Sequence, residues 1–410
     1  MIPEERRVVA LAGLAHGVNH TAELTYAAVL AVLVAHFQTD RVLLGLFATV
    51  FALAYGVTAL PSGFLADKIG AKRTMALSLA GGGVAALLVA GAPTLWFLGA
   101  SLVLLGATAG LYHPAGVTFI SQGVRLRSRA FGYHGVAGNI GLALAPPVAT
   151  LMMGLWSWRA AFLLVGFLFG VSAVVVHLVR ARPQEDPLAE GRPASGGASS
   201  PGASPGTWRQ YLGPLVAVYA ITLCNGLIYR ASLTYLPTLF REELSVALLG
   251  INAEDLGGVV AGVAIFFGAV GQYAGGLIGD RYRREFLLLP LALVVVGALW
   301  AMGFSSGPLL LLAASLFTFF HFMGQPLGNS LIADYTPGLA RGRMYAIMFM
   351  VTFGTGSLGG VIGGWIAELT GGVAWVFPAA GTLGVGIVAL SIYLSVAALG
   401  RARRWSVASG

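Results

Sequence analysis

Charged residues and cysteine are scarce in this chain of 410 residues. Lys, Arg, Asp and Glu together make up 10% of the sequence, whereas a soluble domain carries roughly 25% because its surface must face water. Cys224 is the only cysteine, so a disulfide within the chain is excluded. The sequence also lacks a GxxxxGK[ST] loop, a G-x-S-x-G elbow and an HExxH pair, which argues against ATP-driven transport and gives no support to an enzyme.

Apolar runs long enough to cross a bilayer make up most of the chain. Hydrophobic residues account for 57% of it, and a helix of about 20 apolar residues spans the roughly 30 Å of hydrocarbon. The first run is too long for a cleaved signal peptide, so we interpret it as a helix. The runs predict twelve transmembrane spans near residues 8–36, 42–66, 74–93, 95–121, 130–155, 158–180, 211–240, 256–279, 286–304, 308–333, 343–368 and 373–399.

A segment rich in Pro, Gly, Ala and Ser divides these spans into six and six. Its composition cannot bury a core and predicts a flexible linker. The predicted domains are an N-terminal six-helix bundle at 1–182, the linker at 183–208, and a C-terminal six-helix bundle at 209–410.

The two halves also resemble each other. Pro114 and Pro326 lie 212 residues apart, and Arg129 and Arg343 lie 214 apart, each at a corresponding place in its half. Internal repeats of this kind place the binding site of many secondary transporters at the repeat interface, near the middle of the bilayer.

Arginine and lysine are distributed unequally over the predicted loops. With the N-terminus inside, the outer loops hold only Arg41, Arg159 and Arg241, while the inner segments hold nearly all the others. The positive-inside rule then predicts an inner-membrane protein with both termini and the linker in the cytoplasm. This topology accounts for the net charge of +8, so no nucleic-acid partner is expected.

The loop after the second span carries the most specific motif. Residues 63–73 read GFLADKIGAKR, and a degenerate copy, GLIGDR, occupies 276–281. The first stretch resembles the signature loop of the major facilitator superfamily. That resemblance implies an all-α membrane fold of twelve helices in two pseudo-symmetric bundles. It also implies a cytoplasmic latch that favours the outward-open state, formed by Gly63, Asp67, Lys68, Gly70, Lys72, Arg73, Asp280 and Arg281.

Two further patterns point to a branch of that superfamily. The fifth span has Gly132, Gly141 and Ala145-Pro146-Pro147, which is similar to the antiporter motif of its exporters. A glycine-rich face with a proline kink is also ordinary membrane packing. Tyr112-His113-Pro114 in the fourth span, with His20 and Glu23 in the first and Gly138-Asn139 in the fifth, resembles the fosmidomycin-resistance exporters.

Ionisable side chains at membrane depth are costly, so each marks a candidate functional site. His16, His20 and Glu23 follow i, i+4 and i+7 spacing and share one helix face. A desolvated carboxylate can take up a proton, whereas arginine stays protonated. We therefore expect Glu23 to carry the proton and Arg230 to anchor an anionic substrate, with both facing a central cavity and coupled electrostatically. A structural ion pair between the halves is the alternative.

The candidate site residues fall into two sets. The predicted proton-coupling residues are Glu23, His20 and His113; His16 shares their face but is not assigned to them. No metal site or cofactor is predicted, because no cysteine or carboxylate cluster accompanies the histidines. The predicted substrate-binding residues are Arg230, Asn19, Tyr26, Tyr112, His134, Asn139, Asn225, Tyr229, His321 and Gln325.

These observations together predict a monomeric secondary transporter that is not an enzyme. Its partners are expected to be a small-molecule substrate, protons and the lipid bilayer. The expected activity is proton-coupled export, by alternating access, of a small amphiphilic or anionic compound. Three alternatives stay open: a proton-coupled symporter that imports an organic anion, a membrane-embedded sensor or enzyme built on the same scaffold, and a passive channel.

Overall fold

The computed structural model describes residues 1–39, 41–181, 211–243, 253–337 and 340–408. The predicted linker at 183–208 lies outside the described residues. Within these ranges the chain is helical, as expected where a backbone in lipid must satisfy its own hydrogen bonds. The α-helices are α1 (Pro3–Phe37), α2 (Arg41–Ile69), α3 (Ala71–Ala90), α4 (Leu95–Gly110), α5 (Tyr112–Gly123), α6 (Arg127–Leu155), α7 (Trp158–Leu178), α8 (Leu212–Glu243), α9 (Ala253–Gly279), α10 (Arg284–Gly303), α11 (Gly307–Tyr335), α12 (Arg341–Phe349), α13 (Leu358–Thr370) and α14 (Val376–Ala408).

Most of these helices belong to segments with the length and apolar character of membrane spans. Among the described residues, ten segments are long and apolar enough to cross a bilayer. Large apolar side chains such as Trp96, Phe167 and Trp365 are at least 64% exposed, which suits a surface covered by lipid rather than water. The predicted first and fifth spans correspond to α1 and α6, which are not among these ten segments and which carry most of the polar site described below.

Two predicted spans are interrupted rather than continuous. The fourth becomes α4 and α5, which meet at a turn at Leu111. Pro114 lacks the N–H that would bond the carbonyl of Gly110, so the helix breaks there, and Tyr112 and His113 begin a new one. The eleventh span consists of α12, a π-helix at Met350–Gly354, a 3₁₀ turn at Thr355–Ser357, and α13. Hydropathy alone shows neither break.

The chain divides into two compact units. In the first, α3 packs on α7, α2 on α4, and α12 on α2 and α5; in the second, α11 packs on α9, and α14 packs on α10 and α8. Unit 1 is Met1–Leu126, Tyr133–Arg192 and Gly338–Gly354, and unit 2 is Arg127–Gly132, Pro193–Pro337 and Thr355–Gly410. The start of α6 comes from the predicted N-terminal half but belongs to unit 2. The helix α12 and its π-helix come from the predicted C-terminal half but belong to unit 1.

Candidate functional site

A hydrogen-bonded chain of three side chains runs along one face of α1 in unit 1. His20 Nδ1 lies 2.9 Å from Glu23 Oε2, and His20 Nε2 lies 3.0 Å from His16 Nε2. His16 Nδ1 donates to the backbone carbonyl of His134 at 2.7 Å. Both histidines are buried, whereas the Glu23 side chain is 27% exposed. The i, i+4, i+7 spacing places these residues on one helix face, as predicted from the sequence. The structure adds that each contacts the next along that face.

His134 of α6 closes the other side of this chain. Its ring stacks on that of His16 with centroids 3.8 Å apart, and its Nε2 lies 3.0 Å from the Tyr112 hydroxyl. The hydroxyl hydrogen of Tyr112 is used by the carbonyl of Ala12. Since a hydroxyl has one hydrogen, the contact with His134 must be donated by the ring. His134 therefore carries a hydrogen on Nε2.

His113 of α5 lies against the same cluster with a free ring nitrogen. Its ring centroid is 5.0 Å from that of His16 and 5.2 Å from that of His20. Its Nε2 is buried and has no hydrogen-bond partner among the described residues. The rings of Phe349 and Phe353 cover it at 4.8 and 5.3 Å. The residue thus combines an aromatic environment with a ring nitrogen that has no partner in the described chain.

Gly138 allows His16 to occupy this position. A Cβ at Gly138 would lie 2.5 Å from His16 Nδ1 and 2.9 Å from its Nε2, far inside contact distance. The close approach of α1 and α6 therefore needs glycine at this point. Gly138, singled out with Asn139 in the sequence, therefore has a packing role that the sequence pattern did not predict.

The other polar residues predicted for this half are bonded to different degrees. Asn19 donates to the carbonyl of Ala109 at 2.9 Å, and its Oδ1 is buried without a partner among the described residues. Tyr26 is buried and donates its hydroxyl to the carbonyl of Leu44 at 2.8 Å, which occupies it structurally. The amide nitrogen of Asn139 is likewise buried and unbonded within the part of the chain that the structure describes.

Three histidines approach one another closely enough to be considered as metal ligands. His16, His20 and His113 each offer a nitrogen, and these atoms lie within 4.8 Å of one another. Two nitrogen ligands of tetrahedral Zn²⁺, each about 2.0–2.1 Å from the ion, lie about 3.3–3.4 Å apart. The 3.0 Å between His16 and His20 is instead the ordinary length of a hydrogen bond to nitrogen. The spacing favours a hydrogen between the two rings over a metal ion.

A second polar group lies in unit 2. The ring of Tyr229 on α8 stacks on His321 of α11 with centroids 6.0 Å apart. One turn along α11, Gln325 Oε1 accepts a hydrogen bond from Gln272 Nε2 at 2.8 Å. His321 Nδ1 and Gln272 Oε1 are both buried without a partner in the described part of the chain. Each of these two atoms can take a hydrogen-bond partner from a ligand or from water.

Arg230 is a half-buried cation inside a membrane span. It lies on α8 within the span Leu212–Leu236, and its side chain runs along Gly360 of α13. Among the described residues it forms no ion pair. Asn225 lies on the same helix and is also half-buried. The predicted coupling of Arg230 with Glu23 joins residues of different units and stays a prediction.

Asp67, at the end of α2, caps the start of α12 in unit 1. Its carboxylate accepts the N–H of Gly342 at 3.2 Å and Arg343 Nε at 2.8 Å. The N-cap residue of α12 is Ala340, which has no side chain able to cap, so the aspartate from another helix satisfies the free N–H. A Cβ at Gly63 would clash with Gly342 and Ala346, so glycine is needed for α2 and α12 to approach.

Asp280 does the same for α6 in unit 2. Its two oxygens accept the N–H groups of Ser128 at 3.0 Å and Arg129 at 2.9 Å, where the N-cap residue, Leu126, cannot cap. Arg284 lies 3.5 Å from the same carboxylate. Burial raises the pKa of Asp280, and the backbone N–H of Arg129 together with the charge of Arg284 offsets part of that rise. The two aspartates at matching positions of the sequence repeat, Asp67 and Asp280, thus each cap the N-terminus of another helix.

The basic residues of the predicted latch contact different partners, and their role in a latch stays a prediction. Lys72 donates to the carbonyl of His177 at 3.2 Å, and neither Lys68 nor Arg73 bonds to Asp67. The basic partner of Asp280 is Arg284 rather than Arg281. Gly70 has a φ of +93°, so glycine is required for the turn into α3.

Sequence reasoning undervalued three residues. His16 contacts the rings of His20, His113 and His134, and its spacing from His20 was a signal for it. Nothing in the sequence indicated the contacts of Gln272 and Arg284, because their partners are far away along the chain. Arg284 bonds Asp334 at 2.6 Å and Ser128 Oγ at 2.8 Å, and joins three helices of unit 2.

Comparison with known proteins agrees with this architecture. A family model described as Major Facilitator Superfamily matches residues 12–253 and 244–407. The membrane sensor protein UhpC of Salmonella typhimurium is 26% identical over 344 residues, which cover 78% of this chain and 75% of that protein. The voltage-gated purine nucleotide uniporter SLC17A9 of Mus musculus is 27% identical over 361 residues, covering 81% and 76%.

A solved structure has the same fold. The crystal structure of a variant of the E. coli fucose:proton symporter FucP matches with a TM-score of 0.71 and 16% identity, and the match covers 94% of this chain and 98% of that one. At this identity the likeness concerns the fold alone.

Proposed function

Because the chain belongs to the Major Facilitator Superfamily, we propose that it is a secondary transporter that moves a small organic anion by alternating access, coupled to protons. It is a multi-pass membrane protein and not an enzyme. The proposal assigns anion binding to Arg230 and proton coupling to Glu23, His20 and His113.

One observation carries the anion assignment. Arg230 places a guanidinium within a membrane span, half-buried and without an ion-pair partner among the described residues of its unit. A charge in such a place is costly unless it faces water or meets an opposite charge. A carboxylate or phosphate group on the substrate supplies that charge and matches the planar fork of arginine. The similarity to a transporter of purine nucleotides, which carry phosphates, supports the same substrate class.

The proton assignment follows from the cluster on α1. Glu23 is partly exposed and hydrogen-bonded to a buried histidine, so it can exchange protons with water while remaining connected to the cluster. Beside it, the buried Nε2 of His113 is unused within the described chain. Export by proton antiport is the direction that the glycine and proline pattern of α6 favours. Gly141 packs directly on Gly17 of α1, whereas the side chains of Pro146 and Pro147 lie outside the described residues.

Uptake by reconstituted protein tests the anion assignment. Proteoliposomes preloaded with unlabelled compound are given radiolabelled carboxylates, phosphate esters and purine nucleotides. Arg230→Gln is expected to raise the substrate concentration at half-maximal uptake about ten- to a hundred-fold, since hydrogen bonds to charged groups contribute about 1.5–3 kcal/mol. Arg230→Lys keeps the charge but loses the planar fork of donors. Its half-saturation concentration is therefore expected to lie between those of wild type and Arg230→Gln.

The matched control is Arg180→Gln, which removes an exposed arginine outside every predicted site. Equal exchange by wild type and Arg230→Gln would contradict the assignment. Saturable binding of an anion without any exchange would instead favour a sensor, the function named for the similar protein UhpC.

A further inference from the structure

The contacts among Glu23, His20 and His16 require a definite number of hydrogens. Three contacts must each contain one: His16 with the carbonyl of His134, His16 with His20, and His20 with Glu23. A carbonyl only accepts, so the first hydrogen rests on His16 Nδ1. The second lies between the two Nε2 atoms, and the third lies between His20 Nδ1 and the carboxyl group.

A fully deprotonated set cannot supply these hydrogens. A carboxylate and two neutral imidazoles hold two ring hydrogens in all, one on each histidine. Closing the three contacts takes three. The set therefore holds one proton more than its deprotonated form, whether the carboxyl group is neutral or one ring is cationic. Its net charge is then zero, which suits a cluster placed within a membrane helix.

The groups around the two histidine rings neither add a fixed charge nor take this proton. Tyr112 and His113 of α5 and His134 of α6 are the titratable side chains that contact these rings in the described chain, and Tyr55 of α2 contacts His113. All four side chains are buried, where an unpaired charge is costly, so their neutral forms are favoured. The extra proton is therefore assigned to the carboxyl group and the two rings.

We infer that Glu23, His20 and His16 form one proton-storage unit, in which a single proton moves by tautomer exchange between the carboxyl group at the partly exposed end and His16 at the buried end. This rests on the proposed proton coupling and adds to it. Glu23 is the entrance, His16 is the inner terminus, and His113 is a neighbour rather than a link. The structure corresponds to the loaded form.

Histidine nitrogen NMR tests this without any substrate. Wild-type protein with ¹⁵N-labelled imidazoles, reconstituted in lipid at neutral pH, is expected to show a hydrogen shared between two Nε2 atoms. His16→Asn and His20→Asn should each abolish it, because asparagine replaces Nδ1 but not Nε2. His177→Asn, which changes an exposed histidine, should leave it unaltered.

A neutral replacement of the carboxylate separates the unit from a simple ring contact. In Glu23→Gln the side-chain amide donates a hydrogen to His20 Nδ1, so all three contacts contain a hydrogen while both rings are neutral. The hydrogen between the two Nε2 atoms should therefore persist when the pH is raised to values at which wild type loses it. Two unprotonated Nε2 atoms in wild type at neutral pH, or the same pH dependence in Glu23→Gln, would overturn the inference. So would Zn²⁺ added alone, if it bound tightly through His16, His20 and His113 and displaced the hydrogen. The NMR experiment measures no transport, so its result does not depend on whether the proposed transport activity is found.

Discussion

Glycine at position 138 is required by the close approach of α6 to His16 on α1. It leaves room for the His16 ring, which stacks on His134 and reaches His20. The sequence pattern could suggest a histidine face on α1, because i, i+4, i+7 spacing follows from helix geometry. It could not show that α6 must approach that face without a side chain.

Gly138→Ala is expected to displace the His16 ring and break its contacts with His20 and the carbonyl of His134. Overpacking of this kind costs about 1–3 kcal/mol. Thermal unfolding should shift downward, and proton-coupled uptake should fall more than substrate binding does. Gly154→Ala on the same helix meets nothing within 4 Å and serves as the control. Normal coupling in Gly138→Ala would show that the cluster does not depend on this approach.

Helix capping across the fold is the main feature at the scale of elements. Asp67 and Asp280 lie 213 residues apart and cap α12 and α6, whose own N-cap residues are Ala340 and Leu126. The sequence repeat predicted that the two aspartates occupy equivalent positions in the two halves. Their helix partners could not be predicted, since nothing local links residue 67 to residue 342.

Asp67→Asn is expected to loosen α12 from α2, because it removes a charge from a helix N-terminus and from Arg343. The loss should be about 1–2 kcal/mol, or about a five- to thirty-fold change in an equilibrium. The single native cysteine allows a clean probe: in a Cys224→Ser background, Met348→Cys places a buried thiol on α12.

Maleimide labelling of that thiol should accelerate by the same factor in Asp67→Asn. Glu4→Gln, which changes an exposed carboxylate in α1, should leave the rate unaltered. A rate in Asp67→Asn equal to that of the parent would mean that the cap does not hold the helix.

At the scale of the whole molecule, composition alone predicted an all-α membrane protein, and the comparisons confirm the superfamily. The scarcity of charge and the spacing of apolar runs suffice for that, because a bilayer restricts both length and backbone bonding. The breaks at Leu111 and at Met350–Gly354 were missed. They arise from Pro114 and from backbone geometry that hydropathy does not record.

The site was predicted in part for a similar reason. Glu23, His20 and His113 stand out because ionisable groups are rare in lipid, and the structure brings them into one cluster. Gln272 and Arg284 bond residues on other helices, and a single sequence holds no record of those distances. The direction of transport and the coupling to protons are proposals that a flux measurement tests.

Proton movement during anion exchange tests the account most directly. Proteoliposomes containing a trapped pH-sensitive dye are given an outward or inward gradient of an anion that wild type exchanges. Wild type should move protons with the anion, in the opposite direction for antiport and in the same direction for symport. Glu23→Gln should exchange anion with no proton signal. Anion flux without proton movement in wild type, or an unchanged proton signal in Glu23→Gln, would contradict it.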